Sequence, residues 1–212
     1  MRIAVCTPHY GPLRPGYVES LSALMALTAG TPVNYNGTKM LPRIRLFLEE
    51  SGPVDYKRNR LVRRAREWGA DYIQWIDNDH IFPADATLRL AMRDLPIVGC
   101  NYAQRLGPPV PTAIDGDNER IGPNPQGQVE EVASVGFGFC LMKAEVFDVV
   151  PKPWFSTNLS IDGEVLQSDD VHFGNQARNS GIPIFLDPGI EIGHIAETVI
   201  SLSPEAVPAP TQ

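Results

Sequence analysis

The sequence predicts an α/β fold in which helices cover both faces of a mostly parallel sheet. Short apolar runs of strand length alternate with segments of helical periodicity through the first hundred residues. The apolar run 72–76 is the clearest of these, because it ends abruptly in Asp77-Asn78-Asp79. Alternation of this kind favours parallel strands that are joined by helical crossovers.

Breaker residues separate the elements of the first half. A loop rich in Pro and Gly, 8–16, follows the first apolar run, and Gly30 and Gly69 stand where two helices should end. We predict buried strands over 2–7, 72–76 and 96–100, and helices over 17–29, 41–50, 55–68 and 85–92.

A long irregular segment, 102–128, separates this half from the second. It is rich in Gly, Pro, Asn and Asp, so we expect a functional loop. Beyond it we predict apolar segments over 129–135 and 136–142, short strands over 183–186 and 190–195, and helices over 143–149 and 171–179. The chain is expected to form one domain over 1–200 and a flexible Pro-rich tail over 201–212.

Composition limits the classes of function. The net charge of −7 over 212 residues argues against a broad nucleic-acid surface but allows one nucleotide held through a metal ion. Cys6, Cys100 and Cys140 each lie in an apolar run, which favours buried free thiols and a reducing compartment. Neither a signal peptide nor an apolar run of membrane length is apparent, so we predict a cytoplasmic protein without a transmembrane segment.

Asp77 and Asp79 are the first candidate site residues. Two carboxylates at the carboxyl end of a strand expose hard oxygen ligands, which suit a divalent cation that can in turn hold a diphosphate. Asp and Asn are also common in solvated turns, so the motif alone leaves both interpretations open.

Other polar residues also have two interpretations. His194 is either a core histidine or an imidazole ligand that joins Asp79 on one cation. Asp169 and Asp170 suit a helix N-terminus, and one of them is also a candidate general base for a sugar hydroxyl. Arg58-Asn59 either belongs to the solvated face of an Arg-rich helix or reaches phosphate or ribose.

In their order along the chain, these motifs resemble the nucleotide-sugar glycosyltransferases of the GT-A fold. The resemblance spans about residues 2 to 195 and is greatest for compact viral, phage or bacterial members, such as the glycosyltransferase domains of large algal viruses. The matching segments are Arg58-Asn59, Gly69-Ala70-Asp71-Tyr72, Asp77-Asn78-Asp79, Gly136 to Phe147, Asp169-Asp170, Gly181, Asp187-Pro188 and Gly193-His194. The acidic pair departs from the commoner Glu-Asp, which leaves the choice of base open.

The resemblance implies a three-layer α/β sandwich, with a mostly parallel central sheet and a small antiparallel element, and a metal-dependent transferase. Mn²⁺ or Mg²⁺ would be held by Asp79 and His194. Asp77 would bind either the ribose or, through a water molecule, the metal. Donor contacts are expected from Thr7, Pro8, His9, Tyr10, Asp55, Arg58, Asn59, Asn78 and Gly138. In an inverting enzyme Asp170, or its neighbour Asp169, would deprotonate the acceptor, whereas a retaining enzyme needs no such base.

The sequence therefore predicts transfer of a sugar from a nucleoside-diphosphate sugar, with UDP favoured over GDP, to a glycan or another hydroxyl acceptor. The segment 102–128 would act as a mobile lid over donor or acceptor. Two alternatives are a nucleotidyltransferase and a nucleotide-sugar-binding module that has lost catalysis. The loop 8–16 lacks the dense glycines and basic residues that a nucleotidyltransferase needs, and the full set of acids argues against loss of catalysis.

Overall fold

A seven-stranded sheet forms the centre of the protein, as seen in a computed structural model that describes residues 1–104 and 108–196. The strands are β1 Arg2–Pro8, β2 Val33–Tyr35, β3 Thr38–Met40, β4 Arg43–Glu49, β5 Tyr72–Ile76, β6 His80–Ile81, β7 Ile97–Gly99, β8 Glu130–Val132, β9 Phe139–Lys143, β10 Asn158–Leu159, β11 Val165–Gln167, β12 Ile184–Leu186 and β13 Gly193–His194. The helices are α1 Pro15–Gly30, α2 Val54–Glu67, α3 Ala86–Met92, α4 Val146–Val149 and α5 Asp169–Asn179.

The central sheet has the strand order β4-β1-β5-β9-β7-β12-β8. Strand β1 pairs in parallel with β4 and β5, and β7 pairs in parallel with β12. Strand β9 runs antiparallel between β5 and β7, and β8 is antiparallel at the edge. Five of these seven strands therefore share one direction, which confirms the predicted mostly parallel α/β sheet with a small antiparallel part.

Apolar side chains cover both faces of the sheet. Successive residues of β1 alternate between two buried clusters, because side chains of a strand point to opposite faces in turn. Helix α2 packs on one face through Leu61, Val62 and Ala65, and α1 packs on the other through Tyr17 and Leu24. The result is the predicted three-layer arrangement.

The helix predicted over 41–50 is wrong, because this segment contains strand β4. Its side chains alternate between more and less buried positions, which is the period of a strand. Leu and Glu are good helix formers, but pairing of the whole segment with β1 overrides that local preference. The strand predicted over 190–195 is also shorter than expected, since only β13 pairs, antiparallel to β6.

A hairpin that the sequence prediction missed joins β2 to β3. Asn36 and Gly37 form its turn with φ of 50° and 75°. Asn-Gly is a strong signal for such turns, because both residues accept positive φ at low cost.

The side chain of Asn101 holds the segment 102–128 through hydrogen bonds to its backbone, where the structure describes that segment. The side-chain oxygen of Asn101 accepts hydrogen bonds from the backbone of Thr112 and Ala113, and its amide donates to the carbonyl of Ile121. Motion of this segment as a lid stays a prediction. The tail predicted over 201–212 lies outside the described residues.

The three cysteines are buried and free, which confirms that they are core thiols. Among the helices of residues 1–104 and 108–196, none combines the length and apolarity needed to cross a membrane.

Candidate metal and nucleotide site

The carboxyl end of β5 places the acidic motif at the edge of the sheet. All five residues of β5 are buried, and Asp77 follows directly with its backbone N–H donating to the carbonyl of Gly138 (3.0 Å). The chain then turns, with His80 N–H bonded to the carbonyl of Asp77 (3.3 Å). This turn directs Asp79 towards β13.

Asp79 lies between two histidines. Its Oδ2 is 3.2 Å from Nε2 of His194, and its Oδ1 is 3.3 Å from Nδ1 of His80. Antiparallel pairing of His194 with His80 creates this arrangement, and the imidazole rings lie 4.5 Å apart at 20°. Ligand atoms from all three residues lie within 4.8 Å of one another, which is a spacing suited to one metal ion.

The two imidazoles determine the charge of this carboxylate. Burial alone would raise the pKa of Asp79, but contacts with His194 and then His80 outweigh burial and hold the pKa well below its ordinary value. Asp79 is therefore ionised at neutral pH, as a metal ligand must be.

A backbone carbonyl fixes the orientation of His194. Its Nδ1 lies 2.8 Å from the carbonyl oxygen of Ala103, which can only accept a hydrogen bond, so Nδ1 carries the proton. Histidines that bind metals in proteins commonly donate their second ring nitrogen in this way. The nitrogen that faces Asp79 is then Nε2, and its lone pair is the one that a bound cation would take.

His80 is a member of this cluster that the sequence prediction did not include. Its position directly after Asp79 was a local signal, but a strand would normally turn the side chains of adjacent residues to opposite faces. The turn at residues 77–80 instead brings both side chains together.

Arg58 is buried within the protein and pairs with two acids. Its Nη1 lies 2.7 Å from Asp169 Oδ2, and its Nη2 lies 3.5 Å from Asp77 Oδ1. Burial alone would lower the pKa of Arg58, but Asp169 and then Asp77 more than offset this effect. The pKa is therefore raised above its ordinary value, and the guanidinium stays charged. The interpretation of Arg58 as part of a solvated face is wrong, because the residue is buried and links the end of β5 to α5. Contact with phosphate or ribose stays a prediction.

The two acids at the start of α5 have different surroundings. Asp169 is buried; burial raises its pKa, and Arg58 only partly offsets that rise. Asp170 is half-buried, and its Oδ1 accepts hydrogen bonds from the Ser168 hydroxyl and from Val171 N–H. Asp170 is consequently the more accessible of the two candidate bases.

A cleft of about 960 Å³ lies against the acidic motif. Of the predicted residues, its lining contains Pro8, Tyr10, Asp77, Asn78, Asp79 and His194. Among the described residues the lining does not include Thr7, His9, Asp55, Arg58, Asn59, Gly138, Asp169 or Asp170. Arg14 and Gln104, which were not predicted, line it as well.

Tyr10 is exposed and is held from below by a buried lysine. Lys57 Nζ lies 2.9 Å from the centre of the Tyr10 ring and donates to the carbonyl of His9 (2.7 Å). Lys57 therefore supports the loop that lines the cleft. Thr7, by contrast, is fully buried and its hydroxyl bonds to that of Tyr17 (2.6 Å).

Asp55 and Asn59 fasten α2 to the segment 155–157. Asp55 Oδ2 accepts from Thr157 N–H (3.0 Å), and Asn59 Nδ2 donates to the carbonyl of Phe155 (2.7 Å). Both residues were expected near the donor, but these side-chain contacts are structural.

Gly138 is packed against the cluster from behind. A Cβ at this position would lie 2.5 Å from His80 Cε1 and 2.7 Å from the Tyr102 hydroxyl. The resemblance implied a donor contact at this glycine, and that contact stays a prediction. The close neighbours are side chains of the protein itself.

Comparison with solved structures identifies the architecture. The protein A197 from STIV matches with a TM-score of 0.60 and 15% identity, covering 93% of this chain and 87% of the other. GalNAc-T7 with UDP, GalNAc and Mn²⁺ matches with a TM-score of 0.58 and 10% identity, covering 91% of this chain and 43% of the other. TarS of S. aureus, residues 1–349 in complex with UDP-GlcNAc, matches with a TM-score of 0.55 and 12% identity, covering 95% of this chain and 60% of the other.

The fold is GT-A-like. Identities of this size establish shared architecture and leave the activity to be argued from the site. The GT-A-like chain spans about half the length of the GalNAc-T7 and TarS chains that it matches. Neither protein-family models nor the curated proteins contain a match to this sequence.

Proposed function

We propose that this protein is a metal-dependent glycosyltransferase that moves a sugar from a nucleoside-diphosphate sugar, UDP in preference to GDP, to a hydroxyl acceptor. One observation carries the proposal. Asp79 and the correctly oriented Nε2 of His194 lie 3.2 Å apart in a cleft of about 960 Å³ at the carboxyl end of the central strand. Such strand ends are where open α/β sheets bind their ligands.

The proposed cation is Mn²⁺ or Mg²⁺, and a donor set of oxygen and nitrogen suits Mn²⁺ well. Asp79 supplies a carboxylate kept ionised by its neighbours, and His194 supplies an imidazole nitrogen. When bound, the cation would neutralise the charge that develops on the leaving nucleoside diphosphate. Asp77, which pairs with Arg58, would bind the ribose or a metal-bound water, and Asn78 lies beside it on the cleft wall.

Tyr10 and Pro8 are proposed to frame the nucleobase. Tyr10 presents an exposed ring along the cleft, and Lys57 packs against one face of that ring. An aromatic ring of this kind stacks on a planar base. The similar GalNAc-T7 structure contains UDP and the TarS structure contains UDP-GlcNAc, which favours a uridine nucleotide.

Asp170 is the proposed general base for an inverting reaction. It lies in the first turn of α5, and the neighbouring Asp169 is fixed by Arg58 to the same network as Asp77. In this role Asp170 would accept the proton of the acceptor hydroxyl as that oxygen bonds to the sugar. The acceptor is proposed to be a glycan or another hydroxyl compound, and the buried thiols support a reducing, cytoplasmic location.

A thermal-shift panel tests the proposal. UDP, GDP and their sugar conjugates are added with and without Mn²⁺, and a ligand near 100 times its Kd should raise the midpoint by roughly 5–10 °C. Asp79→Ala should abolish the metal-dependent part of the shift, whereas Asp85→Ala, at an exposed acid on another loop, should retain it. The absence of any metal-dependent shift in the wild type would refute the proposed function.

A further inference from the structure

His80 is buried at the acidic strand end, and the protein does not satisfy its imidazole. Only 1% of the residue is exposed, and within the described residues neither Nδ1 nor Nε2 makes a hydrogen bond. A neutral imidazole has one donor and one acceptor, and burial of both without partners is unfavourable. This arrangement indicates a partner that the described polypeptide does not supply.

The geometry around Asp79 indicates what that partner is. Nδ1 of His80 lies 3.3 Å from Oδ1 of Asp79, yet the two atoms are not aligned as a hydrogen bond. Ligand atoms that bind one ion at about 2.1 Å lie about 3 Å apart when they are adjacent. The separations of 3.3 Å for His80 and 3.2 Å for His194 are close to that spacing. These atoms are therefore placed as ligands that converge on a common ion.

Packing holds the His80 ring in place. The edge of Tyr102 contacts it with ring centres 4.5 Å apart, and the His194 ring lies at the same distance on another side. Gly138 leaves no free volume behind the ring, since a Cβ there would lie 2.5 Å from Cε1. A ligand held in this way loses little conformational freedom when a metal binds.

We propose that His80 is a third protein ligand of the divalent cation, together with Asp79 and His194. This inference rests on the cation site of the proposed function and adds both a ligand and a metal class to it. A set of two imidazoles and one carboxylate favours transition ions such as Mn²⁺, Co²⁺, Fe²⁺ and Zn²⁺, whereas Mg²⁺ prefers oxygen ligands and water. The site should therefore discriminate against Mg²⁺.

Pulsed EPR of the Mn²⁺-loaded protein, without nucleotide, tests the ligand count directly. The wild type should show hyperfine coupling to two imidazole nitrogens, and His80→Phe, which keeps a ring of similar size, should show one. His172→Asn is the matched control, because this histidine lies on α5 outside the cluster of Asp79, His80 and His194, and it should retain two couplings. A single nitrogen coupling in the wild type overturns the proposal even if no His80 variant folds.

Metal titration gives a second readout. Loss of a ligand in His80→Phe should weaken Mn²⁺ binding by about 10- to 100-fold. Binding should be unchanged in His172→Asn, which removes a histidine outside the cluster. Mg²⁺ should bind the wild type at least about 10-fold more weakly than Mn²⁺. Equal affinities for the two ions, or unchanged Mn²⁺ affinity in a folded His80→Phe, would contradict the proposal.

The two proposals fail in different ways. One imidazole coupling with an intact metal-dependent UDP shift removes His80 as a ligand and leaves the glycosyltransferase proposal standing. Two couplings without any nucleotide shift support the His80 site but reject the nucleotide-sugar function. If Mn²⁺ does not bind at all, both fail.

Discussion

Arg58 Nη1 lies 2.7 Å from Oδ2 of Asp169, a residue 111 positions further along the chain. This buried ion pair joins α2 to the start of α5 and sets the position of Asp170 relative to the cleft. Because Arg58 also approaches Asp77, the pair connects the proposed base to the acidic end of β5. The relationship explains why an arginine that could have faced solvent is 4% exposed.

Asp169→Asn should destabilise the protein by about 3 kcal/mol, since it leaves the buried Arg58 charge with a weaker partner. Asp148→Asn is the control, because it disrupts an ion pair with Arg66, which lies on α2 as Arg58 does. The Asp148 side chain is 60% exposed. That variant should cost less than about 1 kcal/mol. Urea unfolding measures the free energy of unfolding of both variants. Equal decreases would mean that the buried Arg58–Asp169 pair stabilises the protein no more than an exposed ion pair does.

Lys57→Met should raise the Kd for UDP about 10-fold, because the loop that holds Tyr10 loses its support. Methionine keeps most of the buried aliphatic volume, so the fold should be preserved. Calorimetric titration with UDP and Mn²⁺ gives the Kd. Lys152→Met is the matched control, since Lys152 Nζ also lies over an aromatic ring, 4.8 Å from the centre of Trp154, but away from the cleft. The Kd of this variant for UDP should equal that of the wild type. An unaltered Kd in Lys57→Met would exclude this role for the loop.

Gly138→Ala should destabilise the protein by about 1–3 kcal/mol, because the added methyl group overlaps His80 and Tyr102. It should also weaken Mn²⁺ binding, since the ring it displaces is part of the metal cluster. Gly116→Ala, where a Cβ meets nothing within 4 Å, should do neither. Thermal unfolding and a Mn²⁺ titration are the two measurements, and wild-type behaviour of Gly138→Ala would show that the packing there is loose.

The sequence was sufficient for the parts of the site that are close along the chain. A buried strand that ends in Asp77 and Asp79 identifies a sheet edge, and the structure places both residues in the cleft. For His194 the sequence left two interpretations open, a core histidine and a ligand beside Asp79. Antiparallel pairing of β13 with β6 brings this histidine next to Asp79.

Sequence reasoning failed where the partner is remote. Nothing near Arg58 predicts a carboxylate from α5, because that contact depends on the crossover of the whole chain. His80, by contrast, is adjacent to Asp79 in the sequence. In a regular strand their side chains would point to opposite faces, and the turn at residues 77–80 brings them to the same side. The misassigned strand β4 reflects a local helix preference that pairing with β1 overrides.

Asp170→Asn should lower kcat for sugar transfer by about 10²- to 10⁴-fold, because an amide cannot accept the proton of the acceptor hydroxyl. Its known hydrogen bonds use Oδ1, which leaves Oδ2 without a protein donor among the described residues. UDP binding should be unchanged, which separates loss of the base from loss of the donor site. Asp162→Asn, at an exposed position of the preceding hairpin, should keep full activity. A folded, UDP-binding Asp170→Asn with wild-type kcat would remove the base and favour a retaining reaction, which needs none.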